Sequence, residues 1–287
     1  MGHERVGSLP KSQKWRDIVQ QVAGLESRMG MPSTGDSGSS ISTESNDLSK
    51  DLAESEVSDI ASNTIKNVSS KLRNLQYDES FKSAFKFLVC FSIAARGNNP
   101  SQKLHEFGIE VPVNPSPLSF SRAIRDWMEK AENKSLEYKN LAQSSAVDTI
   151  AIWFYINRSN SSQLQLFSGL VDPHETWRKA GDGSGFCELS RLFFSKFTER
   201  YLNYFLEREA SSVLSSLDAR NLFSDQLKSH IENVSLHAFE TAKITQSFAA
   251  GWYNKNVSSD LPPDRSIEGF LSIALGKIRD ELIREDK

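Results

Sequence analysis

The sequence predicts an all-α fold, an irregular helical bundle with a tethered N-terminal helix. Three observations carry that expectation. Apolar residues recur at helical spacing through most of the chain beyond about residue 48. No alternating apolar–polar run is long enough to make a useful strand. Start and stop signals bracket the periodic segments: Gly97-Asn98-Asn99-Pro100 as a breaker, and Ser116-Pro117 and Asp172-Pro173 as N-cap and N1 pairs. No repeat occurs at the periods of helical solenoids.

Residues 1–30 read as a basic N-terminal arm. Arg5, Lys11, Lys14, Arg16 and Arg28 outnumber Glu4, Asp17 and Glu26. Within the arm, residues 11–29 predict a short amphipathic helix with Trp15, Ile18, Val19, Val22 and Leu25 on one face. Residues 31–47 read as a flexible Ser/Gly/acidic linker. Ile41 is the one large apolar side chain over 32–47, too little to offset the entropy of ordering the segment.

Residues 48–287 read as an all-helical domain, with a leading helix over 48–76 and a main body over 77–287. The leading helix keeps Leu52, Val57, Ile60, Ile65, Val68, Leu72 and Leu75 at a helical period. A helix over Glu79–Arg96 is apolar on most sides and is expected at the centre of the core. Phe107–Pro117, with three prolines, reads as an irregular connector. A helix from Pro117 carries Ile124, Trp127 and Met128 inward, and another spans about Tyr138–Ile156. A short helix runs from Pro173 to Gly181, with Asp172 as N-cap and Glu175 placed as in a capping box. Three long helices are expected over 186–217, 219–255 and 266–285.

A net charge of −3 argues against a protein that binds nucleic acid over its whole surface, while leaving room for a local basic patch. Cys90 and Cys187, in apolar contexts, read as two buried, reduced thiols. The first dozen residues carry no apolar run of the secretory kind, and the expectation is a cytoplasmic protein. The most apolar runs, Phe85–Ala95 and Ala146–Ile156, are far shorter than the ~20 residues of a membrane span.

Functional candidates are sparse. The stripe Trp15, Ile18, Val22 and Leu25 suits a docking helix whose Trp15 fills a groove, since Trp is enriched among interface anchors. It is expected to dock on its own domain, on a second copy or on a protein partner. The alternative uses Arg5, Lys11, Lys14 and Arg16, interleaved with Trp15, to grip a nucleic-acid backbone. A weaker candidate is the loop Gly181-Asp182-Gly183-Ser184-Gly185, with Arg178 and Lys179 before it, as a phosphate cradle. Phe186-Cys187 stands where a P-loop needs Lys-Ser/Thr, so a plain helix joint, with Gly181 closing one helix and Ser184 capping the next, is favoured. His230, His237 and Glu240 share a helix face, but the histidines are two turns apart, about 10.5 Å, and read as surface residues. His174 with Glu175 is already explained by capping. Tyr201, Tyr204, Phe205, Trp252 and Tyr253 read as core rather than a stacking platform.

The functional expectation is therefore a non-enzymatic interaction or accessory protein, with no cofactor or metal. A nucleic-acid-binding accessory subunit is the alternative. An enzyme binding a phosphate-bearing ligand at the glycine loop comes third.

Overall fold

In the computed structural model, the described residues are 12–28, 43–130, 136–159, 173–214, 217–239 and 248–284. Every regular element among them is helical, and the all-α expectation holds. In chain order the helices are α1 (Gln13–Arg28), α2 (Thr43–Asn74), α3 (Glu79–Ala95), α4 (Pro100–Glu106), α5 (Pro117–Lys130) and α6 (Leu136–Ser159). They continue with α7 (Pro173–Arg178), α8 (Gly183–Val213), α9 (Leu217–Phe239), α10 (Phe248–Asn256) and α11 (Asp264–Arg284). Short 3₁₀ turns follow α2 (Leu75–Tyr77) and α7 (Lys179–Gly181).

α3 sits at the centre. Asp78 caps it, its carboxylate accepting the Phe81 N–H at 2.9 Å. Its apolar residues point in every direction, so it is covered by α4, α5, α6, α8 and α11. Two aromatic groups grow from it. Phe81 meets Phe197 edge-on at 4.4 Å and Phe85 stacks on Phe270 at 5.0 Å. Phe91 stacks on Trp177 at 5.2 Å, whose indole N–H donates to the Phe91 carbonyl at 3.0 Å. α8 is the long spine, 31 residues or about 46 Å, touching α6, α9, α10 and α1 along its length. One apolar cluster runs continuously from Trp15 to Leu282.

Ion pairs tie the outer helices to this frame. Lys82, 5% exposed in its side chain, bridges Glu79 and Glu268 at 2.7 and 2.8 Å, joining α3 to α11. Lys86 reaches Asp264 at 2.6 Å. Lys196 joins α8 to Glu232 of α9 at 3.1 Å, and Arg200 joins it to Asp148 of α6 at 2.5 Å.

Several boundaries differ from expectation. α2 starts at Thr43, inside the expected 31–47 linker. The rest of that linker lies outside the described residues. The single helix expected over 219–255 is described as α9 and α10, and residues 240–247 lie outside the description. Phe239 and Phe248 rings stand 5.1 Å apart, whereas a straight helix separates residues nine apart by about 13.5 Å and puts them on opposite faces. α9 and α10 are therefore not one straight helix. Cys90 is buried as expected, but Cys187 is only partly so, its thiol 3.8 Å from the Phe239 carbonyl; neither forms a disulfide. Burial pushes the Cys90 thiol up to about 12, against the lowering influence of Lys86, so it stays protonated and unreactive.

Candidate functional site

The N-terminal stripe is the first candidate. Ser12 caps α1 by accepting the Trp15 N–H at 3.2 Å. Trp15, Ile18, Val22 and Leu25 are all buried, facing α2 and α8 of the same chain. Trp15 lies edge-on to Phe205 at 6.3 Å, and Lys71 covers the same phenylalanine with its Nζ 5.9 Å from the ring centre. Asn63 of α2 donates to Gln21 at 3.4 Å. The four docking residues are thus brought together, and what they meet is their own domain. Of the basic set, Lys14 and Arg16 are exposed on the outer face of α1. Arg5 and Lys11 lie outside the described residues.

The glycine loop is the second candidate. Asp182, not Ser184, is the N-cap of α8: its extended backbone lets the carboxylate accept the Gly185 N–H at 2.7 Å. A phosphate at this helix end would compete with that carboxylate for the same donor and be repelled by its charge. The glycines have steric reasons of their own. A Cβ on Gly185 would lie 1.9 Å from the Lys179 carbonyl, and one on Gly181 would lie 3.0 Å from the α3 backbone at Ala95 and Arg96. Arg178 is exposed, and Lys179 donates to the Asn157 carbonyl at 3.1 Å.

That close approach organises a third place, which the sequence did not single out. Ser92 donates to the Ala180 carbonyl and lies 2.9 Å from the Tyr253 hydroxyl. Tyr253 lies 3.3 Å from the Gly181 carbonyl. Burial raises its pKa, outweighing the Ser92 hydrogen bond and the Arg96 charge, so the phenol is neutral. Arg96, at the end of α3, lays its guanidinium 4.2 Å from the Tyr253 ring centre. Its Nε donates to the Gly181 carbonyl at 2.9 Å and Nη1 to the Val257 carbonyl at 3.0 Å. Beside it opens a cleft of about 490 Å³ between α3, α4 and residues 258–259. In the sequence, Gly97-Asn98-Asn99-Pro100 signals a helix stop and nothing more. Partners of Arg96 lie 85 to 162 residues away in sequence, beyond any local pattern.

The remaining candidates disperse. Among the described residues no group of three His, Cys, Asp or Glu could hold a metal ion. His230 is half-buried and His237 exposed, and Glu240 lies outside the described residues. His174 pairs with Asn114 at 3.2 Å and stacks on Trp177 at 6.3 Å, while Glu175 is exposed. Tyr201, Phe205 and Tyr253 are core residues, with Tyr204 and Trp252 half-buried against them. Among the described residues no helix is long and apolar enough to cross a membrane. No family model, curated protein or solved structure matches the chain.

Proposed function

We propose that this chain is a non-enzymatic helical interaction protein whose docking element is α1, held in cis on a groove built by α2 and α8. The observation that supports this is the complete burial of the stripe Trp15, Ile18, Val22 and Leu25 in that groove. A 16-residue helix is marginal in isolation, so α1 owes its structure to the groove. A groove that accepts one amphipathic helix by its apolar anchors accepts another of the same chemistry, and a partner helix or a second copy's α1 then competes with the resident one. The two cysteines, neither in a disulfide, support a reducing compartment, and we place the protein in the cytoplasm on that basis.

The test uses a labelled peptide of residues 12–28 added to the full chain. Trp15→Ala in the chain loosens the resident helix, and the peptide is expected to bind that variant roughly tenfold or more tightly than wild type, the scale of a single anchor. Equal binding to both proteins, or to neither, defeats the proposal. The nucleic-acid alternative draws on the exposed Lys14 and Arg16. It requires binding that falls steeply with salt and is lost in the Lys14→Gln, Arg16→Gln double variant.

A further inference from the structure

We propose that the cleft beside Arg96 is a binding site for a small phosphorylated polyol. The inference stands apart from the reading of α1. It rests on the cleft and on the charge that faces it.

The guanidinium of Arg96 is fixed in place. Beyond the carbonyls of Gly181 and Val257 it also donates to the Ser258 carbonyl at 3.3 Å, and the Tyr253 ring lies against it. These partners span three segments of the chain, so the side chain is ordered before any ligand arrives. Binding then forfeits little of its conformational freedom. All of these partners are neutral. Among the described residues no carboxylate lies within ion-pair distance of Arg96, whereas Lys82, Lys86, Lys103, Lys196 and Arg200 each have one. Arg96 therefore presents a positioned positive charge with no direct ion-pair partner among the described residues, and the carboxylate that lines the same cleft, Glu106, is engaged by Lys103.

The cleft it borders, about 490 Å³, is within the range of small-molecule sites. Lys103 lines the same cleft, held by Glu106 at 2.7 Å, and supplies a second cation that an incoming dianion can recruit. A phosphate monoester matches this pair, since a guanidinium and an ammonium together suit its charge and its acceptor oxygens. The rest of the wall selects the body of the ligand. Asn99, Gln102, Ser258 and Ser259 offer amides and hydroxyls, the donors and acceptors that a polyol uses; Asn99 donates to Gln102 at 3.1 Å and the Ser259 hydroxyl to Asp260 at 3.3 Å, exposed bonds that a ligand hydroxyl exchanges for its own. No aromatic side chain is in the lining, and the one ring nearby, Tyr253, lies against Arg96. That wall gives a nucleobase nothing to stack on and favours a sugar-like body.

The experiment is calorimetric titration of the full chain with glycerol 3-phosphate, with sodium chloride at matched ionic strength, inorganic phosphate and adenosine monophosphate as comparison ligands. Glycerol 3-phosphate is expected to bind with a dissociation constant near or below about 1 mM, more tightly than inorganic phosphate or the nucleotide. Ser259→Asp places a carboxylate on the exposed rim and is expected to weaken binding roughly tenfold or more without changing far-UV CD or the melting temperature of the free protein. Lys103→Gln is expected to weaken it severalfold. Arg96→Lys keeps the charge but not the fork and is expected to bind more weakly as well. Ser259→Asp keeps the proposal testable if Arg96→Lys fails to fold. No binding above the salt control at about 10 mM, or a Ser259→Asp variant that binds like wild type, overturns the site. Inorganic phosphate binding as tightly as the polyol phosphate, or the nucleotide more tightly, overturns the assignment of ligand class.

Discussion

α3 and α1 are both helices with buried apolar side chains, yet they stand in opposite relations to the fold. α3 buries 15 of its 17 residues and is enclosed by neighbours on all sides. α1 buries one stripe and rests on α2 and α8, with its other face in water. Removing α3 means dismantling the core. Removing α1 is expected to be a local step, since only one of its faces is packed. The energetics of substitution should differ in kind: a core helix transmits the full cost of a cavity to global unfolding, whereas a one-faced helix lets go once the cost exceeds its docking energy.

Leu88→Ala tests the first half of that contrast. The side chain is fully buried in α3, and the loss in urea-unfolding free energy is expected at about 2–5 kcal/mol. A loss under about 0.5 kcal/mol, the scale of an ordinary surface change, places α3 at the periphery.

Gly185→Ala probes the joint that carries α8 past α3. The added methyl would meet the Lys179 carbonyl at 1.9 Å, which forces backbone movement. Overpacking of this sort costs about 1–3 kcal/mol. Ser184→Ala nearby, exposed and not the cap, is the neutral control; equal effects from the two would remove the steric explanation.

Trp15→Ala addresses the second half. In an enclosed site a Trp truncation would rival Leu88→Ala. On α1 the global loss is expected below about 2 kcal/mol, because the helix undocks instead. Hydrogen exchange then reports fast amides in residues 12–28 and unchanged protection in α3. Adding Val22→Ala should cost almost nothing further. Full additivity of the two would mean that α1 unfolds with the core rather than before it.

The same contrast governs what could be read in advance. α3 was legible because its apolar composition and its stop at Gly97 are local properties. α5 was legible from Ser116-Pro117, and the Ser119 N–H does reach the Ser116 hydroxyl at 3.3 Å. The face of α1 was legible from its period, but not its destination, since an amphipathic stripe states that it must be covered and not by what. The junction of Arg96, Gly181 and Tyr253 left no signal, because it joins segments far apart in sequence through backbone carbonyls, which every residue has. The glycines of residues 181–185 have the composition of a phosphate loop, although Gly181 and Gly185 serve close packing. That α9 and α10 are not one straight helix left no signal, because the 219–255 pattern carries no Pro, and its one glycine, Gly251, falls inside α10.

The smallest effect expected concerns the ion pairs that pin α11 to α3, the edge where the enclosed core meets a surface helix. Burial alone would lower the pKa of Lys82, but hydrogen bonds to Glu268 and Glu79 and their charges outweigh it and raise the value above 10.5. Hydrogen bonding to Lys86, with the charges of Lys86 and Lys82, holds the Asp264 carboxyl below 3.8 against a weaker effect of burial. A raised lysine stabilises the fold fully below its unfolded value and loses that contribution as pH rises through the folded one; a lowered carboxylate stabilises fully above its unfolded value and loses that as pH falls through the folded one. Stability from this cluster is therefore complete between the two ordinary values and declines on both sides. Asp264→Asn should flatten the acid limb of a urea-midpoint profile, and Lys82→Met should flatten the alkaline limb while shrinking the acid limb only in part, because Lys86 still holds the Asp264 carboxyl down. At pH 7 the cost of Lys82→Met is expected within about 1 kcal/mol, because Glu79, Glu268 and Asp264 are 42%, 28% and 56% exposed and water solvates them once the ammonium is gone. A loss as large as that of Leu88→Ala would mean that this pairing belongs with the enclosed core, and that the line drawn between core and surface helices runs outside α11 rather than through its contact with α3.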